Sequence, residues 1–209
     1  MDGSKLLAAQ SLVPVVVIED ASCAVPLVEV LLEAGIGAIE ITLRTEAALS
    51  AIEQVASKVP EIIVGVGSVR DASHFPQVVD AGARFAVSPG ATDALLEAAD
   101  VAKIPFVPGA ATASEMLKLR EHGYTLQKLF PAEVSGGIPM IKAVSAPIPD
   151  VRFFPTGGVN LGNVRDYLAL DCVSCVGGSW FVSQKDLAAG DYKAISLATQ
   201  QAVAAINLG

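Results

Sequence analysis

Short apolar runs alternate along this chain with segments whose apolar residues recur at helical spacing. Such runs, bounded by Gly or Pro, are typical of buried strands, and apolar residues three or four positions apart are typical of one helix face. Segment 22–33, for example, spaces Val25, Val28 and Leu31 in this way, and a helical segment at residues 5–12 precedes the first strand. The predicted strands cover residues 13–18, 38–44, 62–66, 85–87, 104–107, 125–130, 151–155 and 172–176.

This alternation predicts a single (β/α)8 barrel, a TIM barrel with an N-terminal helical lead-in. The alternative is an open, doubly wound sheet, because strand–helix alternation alone does not reveal whether a sheet closes. An open sheet usually has fewer strands at this length, and no G-x-G-x-x-G follows the first strand. We expect one domain over residues 1–209, since no Pro/Ser-rich linker or charge block divides the chain.

Composition and charge exclude several function classes. The chain is 52% hydrophobic and 17% charged, which is typical of a compact soluble domain, and its net charge is −8. Because it has no basic run, nucleic acid is not an expected partner. No apolar run reaches the roughly 18–20 residues that span a bilayer, and the opening residues 1–5 are too short and polar for a signal peptide. We therefore expect a cytoplasmic protein without membrane contact.

A pair of cysteines, Cys172 and Cys175, has the C-x-x-C spacing of redox and metal sites. We reject both roles, because the pair falls in a predicted strand, where residues three apart point to opposite faces. A metal would also need further ligands, and the histidines, His74 and His122, lie in separate helical patterns. We expect cysteines that fill the core, and neither a metal nor a cofactor.

Lys128 lies near the end of the sixth predicted strand, directly before a loop that contains Pro131. At the mouth of a barrel, partial desolvation would favour the neutral, nucleophilic form of a lysine. The alternative is a solvated surface lysine, as most lysines are.

Strand two carries polar residues on one face. Alternation places Glu40 and Thr42 toward the barrel interior and Arg44 at its rim, while the aliphatic residues face the helices. A carboxylate inside a barrel is costly unless it is paired or has a chemical role. Glu40 suits a general acid/base and Arg44 a bidentate clamp for a carboxylate. A structural salt bridge of Glu40 with Arg44 or Lys128 is the alternative.

Paired glycines follow the last two predicted strands, in Thr156-Gly157-Gly158 and Gly177-Gly178-Ser179. Loops at these two positions are the usual phosphate site of such barrels, because glycine lets backbone amides approach an anion closely. One Gly-Gly pair would indicate only a turn, but two at these strand ends favour an anion site.

Further polar and proline residues stand at other strand exits. Ser68 follows the third predicted strand and could donate to a carboxylate, and Pro89 and Pro108 would shape the pocket floor. Plain turn chemistry is the alternative for all three.

Five motifs follow one another along the chain: Glu40-Ile-Thr-Leu-Arg44-Thr45-Glu46, Ser88-Pro-Gly90, Lys128-Leu-Phe-Pro-Ala-Glu133, Phe154-Pro-Thr-Gly-Gly158 and Gly177-Gly-Ser-Trp180. In this order they resemble the motifs of one enzyme family, the bacterial 2-keto-3-deoxy-6-phosphogluconate (KDPG) aldolase/4-hydroxy-2-oxoglutarate (KHG) aldolase family. The resemblance extends from about residue 13 to the C-terminal helix.

The resemblance implies a metal-independent class I aldolase that forms a homotrimer and releases pyruvate from a keto-acid phosphate. It places Lys128 on the Schiff-base lysine, Glu40 on the acid/base and Arg44 on the ligand of the pyruvyl carboxylate. The other positions it implies are Thr156, Gly157, Gly158, Gly178 and Ser179 at the phosphate end and Pro89 and Phe130 in the pocket wall. Ser68 departs from the threonine common in the family, which keeps the hydroxyl and loses a methyl group.

The resemblance implies reversible cleavage of KDPG to pyruvate and glyceraldehyde 3-phosphate, with KHG as a second substrate. Two alternatives remain. A decarboxylase or isomerase of a sugar phosphate would usually carry Asp/Lys clusters on its strands, and a non-catalytic sugar-phosphate-binding barrel would have no need for a lysine opposite Glu40.

Overall fold

A computed structural model describes residues 3–207 of the chain. The strands are β1 (Leu12–Val16), β2 (Ala38–Thr42), β3 (Ile63–Gly67), β4 (Phe85–Val87), β5 (Phe106–Val107), β6 (Gly109–Ala110), β7 (Leu126–Leu129), β8 (Arg152–Pro155) and β9 (Val176–Gly178). The helices are α1 (Ser4–Leu7), α2 (Ala24–Glu33), α3 (Ala48–Lys58), α4 (His74–Asp80), α5 (Asp93–Ala102), α6 (Ala113–Glu121), α7 (Gly137–Ser145), α8 (Val164–Leu168), α9 (Gln184–Ala188) and α10 (Tyr192–Asn207).

The strands form an α/β fold with a curled parallel sheet. Six of them pair in the order β5-β4-β3-β2-β1-β9 and three in the order β6-β7-β8. Two isolated parallel bridges, Phe153 with Val173 and Thr156 with Gly177, connect the β8 side to the β9 side. On the other side only Pro108 separates β5 from β6, and its carbonyl accepts a hydrogen bond from the Lys128 N–H at 2.9 Å.

Two apolar layers hold this arrangement together. The larger one packs the outer faces of the strands against the helices. The smaller one lies on the strand faces that also carry Glu40 and Lys128, and α1 contributes Leu7 to it. Because this inner layer fills the end of the sheet next to α1, the carboxyl ends of the strands are left for a site.

The ends of several elements differ from the sequence-based prediction. The lead-in helix stops at Leu7 rather than at residue 12, because Leu12 already pairs with Val176 at the start of β1. The predicted strand at residues 172–176 is wrong, since β9 runs from Val176 to Gly178. Pairing with β1 holds the two glycines in a strand that their low β-propensity did not indicate.

The two cysteines therefore lie before β9 rather than within a strand. Cys175 is fully buried in the inner apolar layer, and Cys172 is half-buried. Burial raises the pKa of the Cys175 thiol, and the nearby Glu40 carboxylate raises it further.

A threonine directly after the second predicted strand, Thr45, indicates a cap for the next helix, and this prediction is also wrong. Helix α3 begins three residues later without a side-chain cap, and the Thr45 hydroxyl instead donates to the Ile18 carbonyl at the end of β1. The sequence Thr112-Ala-Ser-Glu115 predicts a capping box before α6. The box is confirmed: Thr112 Oγ1 accepts from the Glu115 N–H, and Glu115 accepts from the Thr112 N–H. Over residues 3–207, no helix has the length and apolar character needed to cross a membrane.

Candidate active site

Lys128 and Glu40 meet inside the curled sheet, from strands that are far apart in sequence. Lys128 Nζ lies 3.1 Å from Glu40 Oε1 and 3.4 Å from Oε2. The Lys128 side chain is 5% exposed and that of Glu40 is 1% exposed. Both side chains therefore point away from the helices, as strand alternation predicted, and each is the other's counter-ion. This contact is compatible with a structural salt bridge and with a catalytic pair. The residues around the pair are needed to distinguish these two roles.

The space around this pair is shaped by Phe130, which was predicted in the pocket wall, and by Gly67 and Phe154, which were not predicted. An ideal Cβ built on Gly67 would lie 2.1 Å from Glu40 Oε1, so only glycine leaves room for the carboxylate there. Lys128 Nζ lies 5.3 Å from the centre of the Phe130 ring and 5.9 Å from that of Phe154. Phe154 is the register partner of Lys128 on β8. The two rings restrict the directions from which a substrate reaches the amine.

Arg44 and Ser68 are also brought together, at the ends of β2 and β3. Arg44 Nε donates to Ser68 Oγ at 3.2 Å, and the Leu43 N–H donates to the Gly67 carbonyl at 2.9 Å, which joins the two strand ends. Ser68 has φ = 59°, in the left-handed region that residues other than glycine seldom adopt. A guanidinium beside a hydroxyl is a suitable pair of donors for a carboxylate.

A cavity of about 560 Å³ opens at the carboxyl ends of the strands, and Lys128, Glu40 and Ser68 are not among the residues that line it. All five residues predicted for the phosphate end line it, together with Arg44 and Phe130. Ser183 and Gln184 also line it and were not anticipated. The pattern Ser183-x-x-Asp186 could have indicated them, because it marks the start of α9: Ser183 Oγ accepts from the Asp186 N–H at 3.3 Å. Gln184 Nε2 donates to the Val17 carbonyl at 2.7 Å. Pro89 is exposed and is not among the lining residues; it packs against Gly109, where an ideal Cβ would lie 2.4 Å from the Pro89 carbonyl.

The phosphate end of the cavity is built largely from backbone. Gly157 and Gly158 have φ values of 97° and 87°, which side-chain-bearing residues rarely adopt. Successive amides in such conformations can form an anion-binding concavity. The Thr156 hydroxyl oxygen is buried beside Gly177 and has no hydrogen-bond partner within residues 3–207. A ligand oxygen in the cavity would be a natural partner for it.

A second groove, of about 530 Å³, lies between α4 and α5. Apolar side chains such as Val79 and Val101 make up most of its lining, and it contains none of the residues at the carboxyl ends of the strands. The first cavity is therefore the candidate active site. Among the described residues, no group of three or more His, Cys, Asp or Glu is placed to hold a metal ion.

Comparison with known proteins identifies the family. The profile of the family described as "KDPG and KHG aldolase" matches residues 4–198. The chain belongs to the KDPG and KHG aldolase family. Among curated members, it is 44% identical to the KHG/KDPG aldolase of Escherichia coli K12, over 97% of this chain and 95% of the relative. It is 45% identical to the 2-dehydro-3-deoxy-phosphogluconate aldolase of Dickeya dadantii, over 96% and 94%.

Solved structures of this aldolase family have the same fold. The KDPG aldolase of Legionella pneumophila, with pyruvate captured as a covalent carbinolamine intermediate, is 42% identical to this chain. It superposes with a TM-score of 0.92 over 96% of this chain and 97% of that structure. A KDPG aldolase of Zymomonas mobilis with 3-phosphoglycerate is 36% identical, with a TM-score of 0.88 over 96% and 94%.

Proposed function

We propose that this protein is a class I aldolase that reversibly cleaves KDPG to pyruvate and glyceraldehyde 3-phosphate through a Schiff base on Lys128. The observation that carries the proposal is the buried contact of Lys128 Nζ with Glu40 Oε1 at 3.1 Å, next to a solvent-connected cavity. A nucleophile within hydrogen-bond reach of a base is the arrangement that covalent catalysis requires. The pyruvate carbinolamine in the Legionella relative supports the same chemistry here.

In the first half of the reaction, the neutral amine of Lys128 attacks the C2 ketone of the substrate. Transfer of a proton from the Lys128 ammonium to Glu40 would produce this amine without adding net charge to the buried site. The C2 oxygen takes up the proton that the newly bonded nitrogen loses, which gives the neutral carbinolamine, and the protonated Glu40 then donates its proton to the leaving hydroxyl. Water departs, and the nitrogen lone pair forms the iminium, which becomes the electron acceptor for the next step.

In the second half, the C3–C4 bond breaks. Glu40 removes the proton of the C4 hydroxyl, directly or through a water molecule, and the C4–O bond becomes the carbonyl of glyceraldehyde 3-phosphate. The electrons of the broken bond flow into the iminium and leave an enamine on C3. Glu40 returns its proton to C3 of the enamine. Water then hydrolyses the iminium, which releases pyruvate and restores the lysine.

Two groups of residues suit the two charged ends of the substrate. We assign the pyruvyl carboxylate to Arg44 and Ser68, and the phosphate to Thr156, Gly157, Gly158, Gly178 and Ser179, with Phe130 in the pocket wall. Pro89 stays a prediction for the pocket wall, although it is not among the residues that line the cavity. The second substrate we propose is KHG, supported by the name of the E. coli relative; it carries no phosphate and would leave the glycine loops unused.

The proposal extends to the architecture and the assembly. We propose that β5 and β6 act as one strand and that all the strands close a single (β/α)8 barrel within one domain of residues 1–209. The bridges between β8 and β9 and the hydrogen bond from Lys128 N to Pro108 O support this closure. A homotrimer in the cytoplasm is proposed on the family resemblance.

Borohydride reduction in the presence of pyruvate, followed by peptide mass mapping, tests the function. We expect a stable reduced adduct on Lys128 and none on Lys118, an exposed lysine whose ammonium pairs with Asp93. The Lys128→Ala variant, treated identically, should yield no adduct and no turnover. Ligand binding to the wild-type protein without any adduct would favour a non-catalytic sugar-phosphate-binding protein instead.

A further inference from the structure

The loop after β7 and the loop after β8 run side by side at the phosphate end of the cavity. The Ala132 N–H donates to the Thr156 carbonyl at 2.8 Å, and the Glu133 N–H donates to the Gly157 carbonyl at 3.0 Å. Because Lys128 is the penultimate residue of β7, these bonds connect the end of its strand to the loop that we assign to phosphate.

The Glu133 side chain packs beneath the phosphate loop and is held from the other side by α8. An ideal Cβ on Gly158 would lie 2.4 Å from Glu133 Cγ, so this stem occupies the space under the glycine. The carboxylate accepts a short hydrogen bond from the hydroxyl of Tyr167. Gly137 leaves room for both groups, since an ideal Cβ there would lie 2.9 Å from Glu133 Oε1 and 3.0 Å from the Tyr167 oxygen.

Tyr167 is well suited to hold this carboxylate. Its side chain is fully buried, although Glu133 itself is exposed overall. Burial raises the pKa of Tyr167, and the hydrogen bond to Glu133 raises it further, so the phenol remains a donor in neutral solution. Neither residue is among those that line the cavity. Their influence on a ligand must therefore pass through the position of Gly157 and Gly158.

We propose that the hydrogen bond between Glu133 and Tyr167 positions the loop at residues 156–158 for binding the substrate phosphate. Both are positioning residues that do not touch the substrate. The proposal rests on the proposed function, because it takes that loop as the phosphate site. Under this proposal, Glu133 and Tyr167 determine how strongly the protein prefers phosphorylated over unphosphorylated keto acids, since only the phosphorylated substrate uses the loop.

The central experiment compares Tyr167→Phe with the wild type on KDPG and on KHG. The ring keeps its packing and only the hydroxyl is lost, so we expect the KM for KDPG to rise about 3- to 10-fold, the range of one hydrogen bond, and the KM for KHG to stay unchanged. Tyr124→Phe is the matched control. It also removes the hydroxyl of a buried tyrosine, which lies 3.2 Å from Asp100 Oδ1. It should leave the ratio of the two KM values as in the wild type.

Variants of Glu133 test whether the two residues act as a unit. Glu133→Gln keeps an oxygen that can accept from Tyr167 and should retain most of the wild-type preference, whereas Glu133→Ala should resemble Tyr167→Phe. The double variant Glu133→Ala/Tyr167→Phe should be no worse than Glu133→Ala alone. Equal increases in KM for both substrates, or no change for either, would overturn the proposal.

A binding measurement separates this proposal from the proposed function. Calorimetric titration with 3-phosphoglycerate needs no aldol chemistry, and we expect Tyr167→Phe to weaken its binding about 3- to 10-fold while Tyr124→Phe does not. If the wild type formed no adduct with pyruvate but this difference held, the function would be wrong and the positioning role would stand. If the adduct formed and both variants bound like the wild type, the positioning role alone would be refuted.

Discussion

The Glu40 carboxylate occupies the space that a side chain on Gly67 would fill. An ideal Cβ on Gly67 lies 2.1 Å from Glu40 Oε1 and 2.7 Å from its carboxyl carbon. The two residues lie on adjacent paired strands, β2 and β3, where Gly67 is opposite Thr42. The bare backbone at this position is therefore what lets a carboxylate stand next to Lys128 inside the sheet.

Gly67→Ala should consequently damage catalysis more than folding. The new methyl group would displace the carboxylate by about an ångström, and a misplacement of that size in a catalytic group can lower the rate by about 100-fold. We expect kcat for KDPG cleavage to fall by this order. Gly90→Ala is a suitable control, because an ideal Cβ on Gly90 has no atom within 4 Å. Wild-type kcat in Gly67→Ala would contradict the assigned position of Glu40.

Glu40→Gln should separate proton transfer from binding. The amide keeps the shape of the side chain but cannot shuttle protons, so we expect kcat to fall about 100- to 10,000-fold, the usual contribution of a general acid/base. Pyruvate affinity, measured by calorimetry, should change little. The comparison variant is Glu53→Gln, on an exposed position of α3. A collapse of pyruvate affinity with an unchanged chemical step would show that Glu40 binds rather than catalyses.

Arg44→Lys should weaken the carboxylate end of the site. Lysine keeps the positive charge but loses the planar fork that can bind a carboxylate and Ser68 together. We expect the KM for KDPG and for KHG to rise together by about 10- to 100-fold, the range for a lost hydrogen bond to a charged group. Arg70→Lys, a nearby exposed arginine that does not line the cavity, serves as the control. An increase confined to KDPG would instead place Arg44 at the phosphate.

The pH dependence of stability should reveal the buried thiol of Cys175. Its pKa is raised above the ordinary value of 9.0, first by burial and then by Glu40. The folded state therefore keeps a proton that the unfolded state loses above pH 9, and stability that is fully present below pH 9 declines as the pH rises. Cys175→Ala should make the decline in the free energy of unfolding between pH 9 and 10 shallower, by up to about 1.4 kcal/mol per pH unit.

Urea denaturation at pH 8, 9 and 10 measures this difference. Tyr167, whose pKa is also raised, contributes to the decline of both proteins above its ordinary value of 10.0. The comparison between wild type and variant removes that contribution. Parallel stability curves for the two proteins would mean that Cys175 ionises equally easily in the folded and unfolded states.

The sequence predicted the elements with strong local patterns. Alternation along β2 correctly predicted that Glu40 points away from the helices, because the side-chain period of a strand is two and the aliphatic residues must face the larger apolar layer. The capping box at Thr112 could also be predicted from the sequence, since it depends only on residues within one turn. The family motifs identified the aldolase family, which the comparison confirmed.

Elements whose local pattern is weak were decided by their neighbours. The glycines of β9 extend a strand because β1 pairs with them, and Thr45 bonds to Ile18 across a strand end rather than capping α3. Neither partner could be read from nearby sequence, because both contacts join positions that are distant along the chain.

By itself, the sequence predicted which residues carry the chemistry: a lysine, a glutamate and an arginine at strand positions whose orientation follows from alternation. Only the tertiary structure decided that Lys128 Nζ and Glu40 Oε1 lie 3.1 Å apart, that Phe154 faces the amine, and that Glu133 supports Gly158. The physical reason is that alternation fixes the face of a strand, whereas distances across the sheet depend on register and curvature. Those follow from the packing of the whole chain.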